Sequence, residues 1–190
     1  MILLVCACGQ AENKEIFDDS AYKVTLIPDS QVKMLRLVDE TGILVEKGFS
    51  LKGLKTGDWI TYWQDGKKIK IIKHYVNGKL NGTLMKFNDR NQILEITNYL
   101  DDKLHGYHVV YSWARPVKEI MYNHGKVNGE MRVYFDKNGT LQKSISFDNG
   151  VQDGPFKQYD LEGNLVLEYV YKDGKKISGG PVAKKEKESK

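Results

Sequence analysis

Cysteine is almost missing from this chain of 190 residues: there are two, Cys6 and Cys8, both at the N-terminus. The rest of the chain can form no disulfide and no thiolate metal site. Long apolar runs are missing too. After the opening MILLV, nothing approaches the ~18 apolar residues of a membrane-spanning helix. An excess of one charge is also lacking. The formal charge is +4, from 29 basic and 25 acidic side chains, and the end KKEKESK alone supplies +2, from four lysines and two glutamates. The body is nearly balanced and offers no basic stripe for a phosphate backbone, so no nucleic-acid partner is expected. The four histidines are His74, His105, His108 and His124. Only His105 and His108 are close in sequence, and a metal site needs more ligands. The chain has no G-x-S-x-G elbow, no P-loop and no D-x-D-x-D-G calcium loop. Its carboxylates Asp101, Asp102, Asp136, Asp148, Asp153 and Asp160 gather where turns are expected. Nothing selects two of them for glycoside chemistry, which needs a pair across a cleft. The expectation is a protein without enzymatic activity, metal or cofactor. An envelope hydrolase would need one deep pocket with convergent carboxylates, where a shallow face is expected.

What the chain has in plenty is glycine, with 18 residues, and tyrosine, with 11. Both are periodic. NGKLNG stands at 77–82, DDKLHG at 101–106, HGKVNG at 124–129 and NGVQDG at 149–154, with a poorer copy, DGKKIS, at 173–178. The second glycine of each motif gives anchors Gly57, Gly82, Gly106, Gly129 and Gly154, about 24 residues apart. Five residues after each anchor stands an aromatic: Tyr62, Phe87, Tyr111, Tyr134 and Tyr159. A turn follows, and then a second aromatic: Tyr75, Tyr99, Tyr122, Phe147 and Tyr171. The segments between turns alternate. GEMRVYF puts Met131, Val133 and Phe135 on one face and Arg132 and Tyr134 on the other, while NLVLEYVY puts Leu165, Leu167, Tyr169 and Tyr171 together. Period two in segments rich in Tyr, Val and Ile, bounded by Asn-Gly or Asp-Gly, means strands. Each unit is a β-hairpin, and each glycine motif is the connection to the next, its glycines supplying positive φ for a tight turn. Pro155, directly after Gly154, implies a strand that begins without a donor there.

The expected fold is all-β: tandem hairpins forming one long twisted antiparallel meander sheet. Residues 20–52 are a degenerate β cap, with strands near 22–27, 32–38 and 43–49. The repeat array covers 53–178 and a disordered charged tail covers 179–190. End units must differ from inner ones, because a hairpin buries no face alone.

The N-terminus has its own pattern. An apolar run ending in Val5-Cys6-Ala7-Cys8 resembles a bacterial lipobox. The resemblance implies acylation of Cys8 as the mature N-terminus, after a signal segment at 1–8, with 9–19 as a flexible tether. No basic segment precedes the run, and seven residues are short for a signal, as expected if the sequence begins inside a longer reading frame. Gly9 rather than aspartate follows Cys8, which on the same resemblance points to the outer membrane of a cell envelope. Without the lipobox the expectation is cytoplasmic.

The unit of Gly-x4-aromatic, turn, aromatic, then Asn/Asp-Gly-Lys-x-x-Gly resembles the MORN-repeat variant of bacterial proteins, including the YwqK-type antitoxins. The resemblance covers about 53–178. It implies a structural repeat without an active site, presenting a sheet to a protein partner, either as a scaffold or as an antitoxin that neutralises a toxin by binding. Residue by residue, the aromatics Tyr62, Phe87, Tyr111, Tyr134 and Tyr159 are either cross-strand packing or one wall of a binding face. The repeat is broken at YSWARPVKE, 111–119, whose turn lacks glycine. Trp113 and Arg115 there are either a variant turn or a partner contact, exposed Trp and Arg being favoured anchors. Trp59 and Trp63 have the opposite parity and belong to core or cap.

Overall fold

The computed structural model describes residues 16–183. Cys6, Cys8 and the lipobox lie outside the described residues. Within them the chain forms strands β1 (Lys23–Leu26), β2 (Val32–Val38), β3 (Leu44–Leu51), β4 (Leu54–Tyr62), β5 (Ile69–Val76), β6 (Lys79–Phe87), β7 (Ile93–Leu100) and β8 (Lys103–Ser112). They continue as β9 (Arg115–Asn123), β10 (Lys126–Val127), β11 (Gly129–Tyr134), β12 (Leu141–Asp148), β13 (Val151–Tyr159), β14 (Leu165–Lys172) and β15 (Lys175–Pro181). All belong to one sheet, and strands adjacent in sequence are adjacent in space, apart from β10. That short strand is the first piece of a strand interrupted at Asn128; both it and β11 pair with β9. All pairings are antiparallel, which is the meander expected from the repeat.

The strands are joined alternately by two kinds of turn. At one edge, two residues with positive φ turn the chain: Asn77-Gly78, Asp101-Asp102, His124-Gly125, Asn149-Gly150 and Asp173-Gly174. Positive φ at both central positions matches the twist of the flanking strands. These turns stack. The amide N–H groups of Gly78, Asp102, Gly125, Gly150 and Gly174 donate to the carbonyls of Lys55, Leu80, Leu104, Val127 and Gln152 in the preceding unit. At the other edge most of the turns are held by an Asp or Asn side chain. Asp65 Oδ1 accepts from the amides of Lys67 and Lys68, Asn88 Oδ1 from those of Arg90 and Gln92, and Asp160 Oδ1 from those of Glu162 and Asn164. The Asp65 and Asp160 carboxylates are thus occupied with the main chain, and such hydrogen bonds hold the Asp65 carboxyl below its usual range.

The anchor glycines are not in the turns. Gly57, Gly82, Gly106 and Gly154 lie inside strands and Gly129 begins one, all with positive φ, where the register to the preceding unit slips. The sequence reading put them in the connection; the structure puts them in bulges, where two extra residues are accommodated by backbone in the left-handed region. Each faces an aromatic of the second column: Gly57 pairs with Tyr75, Gly82 with Tyr99, Gly106 with Tyr122, Gly129 with Phe147 and Gly154 with Tyr171. Pro155 likewise does not start its strand. It sits inside β13 just after the bulge, where an N–H is dispensable.

Directly opposed residues share a face, so the registers define two faces. The Trp59 face carries the central row Leu35, Gly48, Trp59, Lys73, Leu84, Thr97, His108, Ile120, Met131, Ile145, Phe156 and Tyr169. The Tyr62 face carries Ile60, Ile72, Met85, Ile96 and Val109 in unbroken cross-strand contact, followed by charged and polar residues from Glu119 onward. Leu35, Ser50, Trp59, Leu84, Thr97 and Ile120 are buried on the Trp59 face, and Ser144 on the other. Leu165 departs from the simple alternation. A bulge before Tyr159 places Leu165 opposite that ring, away from Leu167, Tyr169 and Tyr171.

Two boundaries differ from those read in the sequence. β15 runs on to Pro181, so Gly179, Gly180 and Pro181 belong to the sheet. Residues 16–19, assigned to a free tether, pack on the Trp59 face instead: the Phe17 N–H donates to Gly53 O at 2.8 Å, and its ring meets Trp59 at 5.2 Å.

Candidate binding faces

The two aromatic columns lie on opposite faces. Tyr62, Phe87, Tyr111, Tyr134 and Tyr159 form a row on the Tyr62 face, all half-buried. Each is seated by an apolar partner across the turn: Ile69, Ile93, Pro116, Leu141 and Leu165 respectively. Two polar contacts fix the face. Lys47 Nζ lies 5.8 Å from the Tyr62 ring, and the Tyr134 hydroxyl donates to Glu119 Oε2 at 2.8 Å. Burial and that carboxylate push the Tyr134 hydroxyl above its ordinary range. The column therefore packs the sheet and forms its surface at once.

At the same edge stands the irregular turn. Trp113 and Ala114 both have positive φ, with Ser112 opposite Arg115. This is a two-residue turn of the same class as the Asn-Gly ones, built from two residues that disfavour it. Trp113 is 74% exposed at the tip, and Arg115 is exposed beside it.

The Trp59 face has a different character. Residues 16–22, IFDDSAY, cross it over the first unit as a strap. Phe17 and Tyr22 meet Trp59 edge to face at 5.2 and 5.9 Å, and Tyr75 closes the cluster at 6.3 Å. Lys55 Nζ lies among them, 3.8 Å from the Trp59 ring and 4.5 Å from Phe17. Burial, with Lys73 nearby, holds the Lys55 ammonium below its ordinary pKa, against the pull of Glu46. Asp19 pairs with Lys33 at 3.0 Å, and the Tyr22 hydroxyl donates to Glu46 at 2.6 Å. Beneath the indole the backbone must be bare: a Cβ on Gly48 would stand 2.2 Å from Trp59 Cδ2.

Midway along this face Lys86, Glu95, Thr97 and His108 form a polar cluster. Lys86 Nζ meets Glu95 Oε2 at 2.9 Å, Thr97 Oγ1 donates to Glu95 Oε1 at 2.9 Å, and His108 Nδ1 lies 2.9 Å from Thr97 Oγ1. Burial raises the Glu95 carboxyl, but the Lys86 and Thr97 hydrogen bonds outweigh it and the net pKa is low. His105 is elsewhere, its ring 4.9 Å from that of His124. Among the described residues no three His, Cys, Asp or Glu side chains gather as a metal site.

Sequence reading found both columns and the irregular turn. It missed the strap, the lysine among the rings and the His108 cluster. The only signal for the strap was the pair Phe17 and Tyr22 in an otherwise polar segment.

A family model described as MORN repeat variant matches residues 55–77 and 152–173. No curated protein matches the chain. Among solved structures, a mutant of S. aureus TarM in complex with Fondaparinux, alpha-GlcNAc-glycerol and UDP is 13% identical, with a TM-score of 0.31. The match covers 70% of this chain and 21% of that one, so the chain spans about a fifth of that protein's length. At its first and last complete units, the chain is similar to the MORN repeat variant.

Proposed function

We propose that this chain is a non-enzymatic binding module that presents an extended β-sheet to a protein partner. The observation that supports this best is the row Tyr62, Phe87, Tyr111, Tyr134 and Tyr159, in register along a face over which no other described segment folds, with Trp113 projecting from the same edge. Aromatic rings with a polar rim are good anchors for a partner. The two end strands add a second means of contact. β1 pairs only with β2 and β15 only with β14. Each leaves one row of main-chain donors and acceptors for strand addition. Acylation of Cys8 would hold the module on an envelope membrane, most simply the outer one.

The test is affinity capture from envelope extracts with the full-length chain as bait and Trp113→Ala as control. A stoichiometric envelope protein lost with Trp113→Ala is the expected result. A single small toxin encoded nearby would make the protein an antitoxin or immunity protein rather than a scaffold. No captured partner would defeat the binding reading. Radiolabelled palmitate tests the anchor: label is expected on the wild type and absent from Cys8→Ser.

A further inference from the structure

The first and last units each gather three or more aromatic rings on the Trp59 face, with a lysine over one of them. In the first, Trp59 stands two residues after the bulge glycine and Tyr75 opposite that glycine, with Lys55 Nζ 3.8 Å from the indole ring. In the last, Phe156 and Tyr171 hold the same two positions. Tyr169 stacks on Phe156 at 6.1 Å and meets Tyr171 edge to face at 6.5 Å. Lys176 Nζ lies 4.4 Å from the Tyr169 ring. The middle units have Leu84, His108 and Met131 where Trp59 and Phe156 stand. His108 meets Tyr122 edge to face at 6.3 Å, so a ring pair recurs there, but among the described residues clusters of three or more Phe, Tyr or Trp rings stand only at the two ends.

The first cluster shows what such a surface accepts, because the chain covers it itself. The strap IFDDSAY supplies a phenyl ring to the indole, a carboxylate to Lys33 and a phenol to Glu46. The last cluster has no cover among the described residues. Lys143, one strand from Phe156 on the same face, and Lys176 have no acidic partner within salt-bridge distance among the described residues. Rings and unpaired cations on one face complement a segment that brings an aromatic side chain and carboxylates.

We propose that the cluster of Phe156, Tyr169 and Tyr171, rimmed by Lys143 and Lys176, docks an aromatic-acidic peptide segment of a partner protein, of the same chemistry as residues 16–22. This rests on the binding-module reading and adds to it the place of docking and the kind of segment bound. The partner's ring completes the cluster as Phe17 completes the first, and its carboxylates meet the two lysines.

A fluorescent peptide of residues 13–23, NKEIFDDSAYK, is the probe, titrated into the full-length chain. Saturable binding is expected, weakened about tenfold by Lys176→Glu in the protein or by Asp18→Asn with Asp19→Asn in the peptide. Lys176 is exposed on an edge strand, so its replacement leaves the fold intact. Amide shifts on binding are expected along β13, β14 and β15. Three results would overturn the site: no saturable binding, shifts confined to Trp59 and Tyr75 because the peptide displaces the strap, or binding indifferent to Lys176→Glu. Capture of the same partner in equal amount by wild-type and Lys176→Glu chains would also overturn it, while leaving the binding-module reading intact.

Discussion

His108 shows how a single residue takes its meaning from its neighbours. Thr97 has one hydroxyl hydrogen, and it goes to Glu95. The His108 contact at 2.9 Å then requires Nδ1–H to donate to Thr97 Oγ1. Burial holds the His108 pKa below its ordinary value; Lys118 and Lys86 act in the same direction and Glu95 opposes them. Folding thus favours the neutral ring. The stability this gives is complete above the unfolded pKa of about 6.5 and is lost as pH falls through the lower folded value. The expected outcome is a melting temperature that drops between pH 7 and pH 5, and drops less in His108→Gln, by parallel calorimetry. The same fall in both proteins would refute the assignment. The spacing of His105 and His108 gave no hint of this, since alternation sends residues three apart to opposite faces. His105 meets His124, one hairpin further on, while His108 meets Thr97.

At the scale of the element, the turn at Trp113 and Ala114 is the one that departs from its chemistry. Non-glycine residues in the left-handed region cost on the order of 1 kcal/mol each, more for a large side chain. The equivalent connections use Asn, Asp, His or Lys followed mostly by glycine. Trp113→Asn with Ala114→Gly is therefore expected to stabilise the protein by roughly 1 kcal/mol in denaturant titrations. The same change is expected to diminish partner capture, because it removes the most exposed large apolar side chain of the turn. Loss of stability would show that the Trp113 ring packs usefully at the tip. Gly48 is the opposite case. Its φ is unremarkable, and glycine is there because the Trp59 ring lies directly on the backbone.

The whole molecule is a single sheet in which each unit touches mainly its neighbours, and stability in such arrays is approximately a sum of unit and interface terms. Deleting residues 130–154, from one bulge glycine to the next, joins Gly129 to Pro155 and keeps every strand in register. A folded, shorter array is expected, with native-like far-UV circular dichroism and a smaller denaturant m-value, in proportion to the surface lost. Deleting a single strand instead would turn the alternation of every later strand to the wrong face, and an unfolded or aggregated product is expected. If the whole-unit deletion also fails to fold, the units are not the independent blocks that the registers imply.

The sequence by itself determined the strands, the repeat and the meander, because these rest on local properties. Alternation selects strands, two-residue Asn-Gly turns select hairpins, and a short connection leaves the next strand nowhere to pair but beside the last. It also determined that the columns of Tyr62 and Tyr75 recur. Tertiary structure decided which face each column occupies, because the one-residue bulge before Tyr62 and its equivalents shifts the alternation between paired strands, whereas the two extra residues at Gly57 and its equivalents do not. It also decided that Leu165 turns away from Leu167. Only tertiary structure laid Phe17 and Tyr22 over Trp59 and placed Lys55 among the rings. Those contacts join segments with no shared period, and a polar stretch with two aromatics reads as a tether until the surface it covers is known.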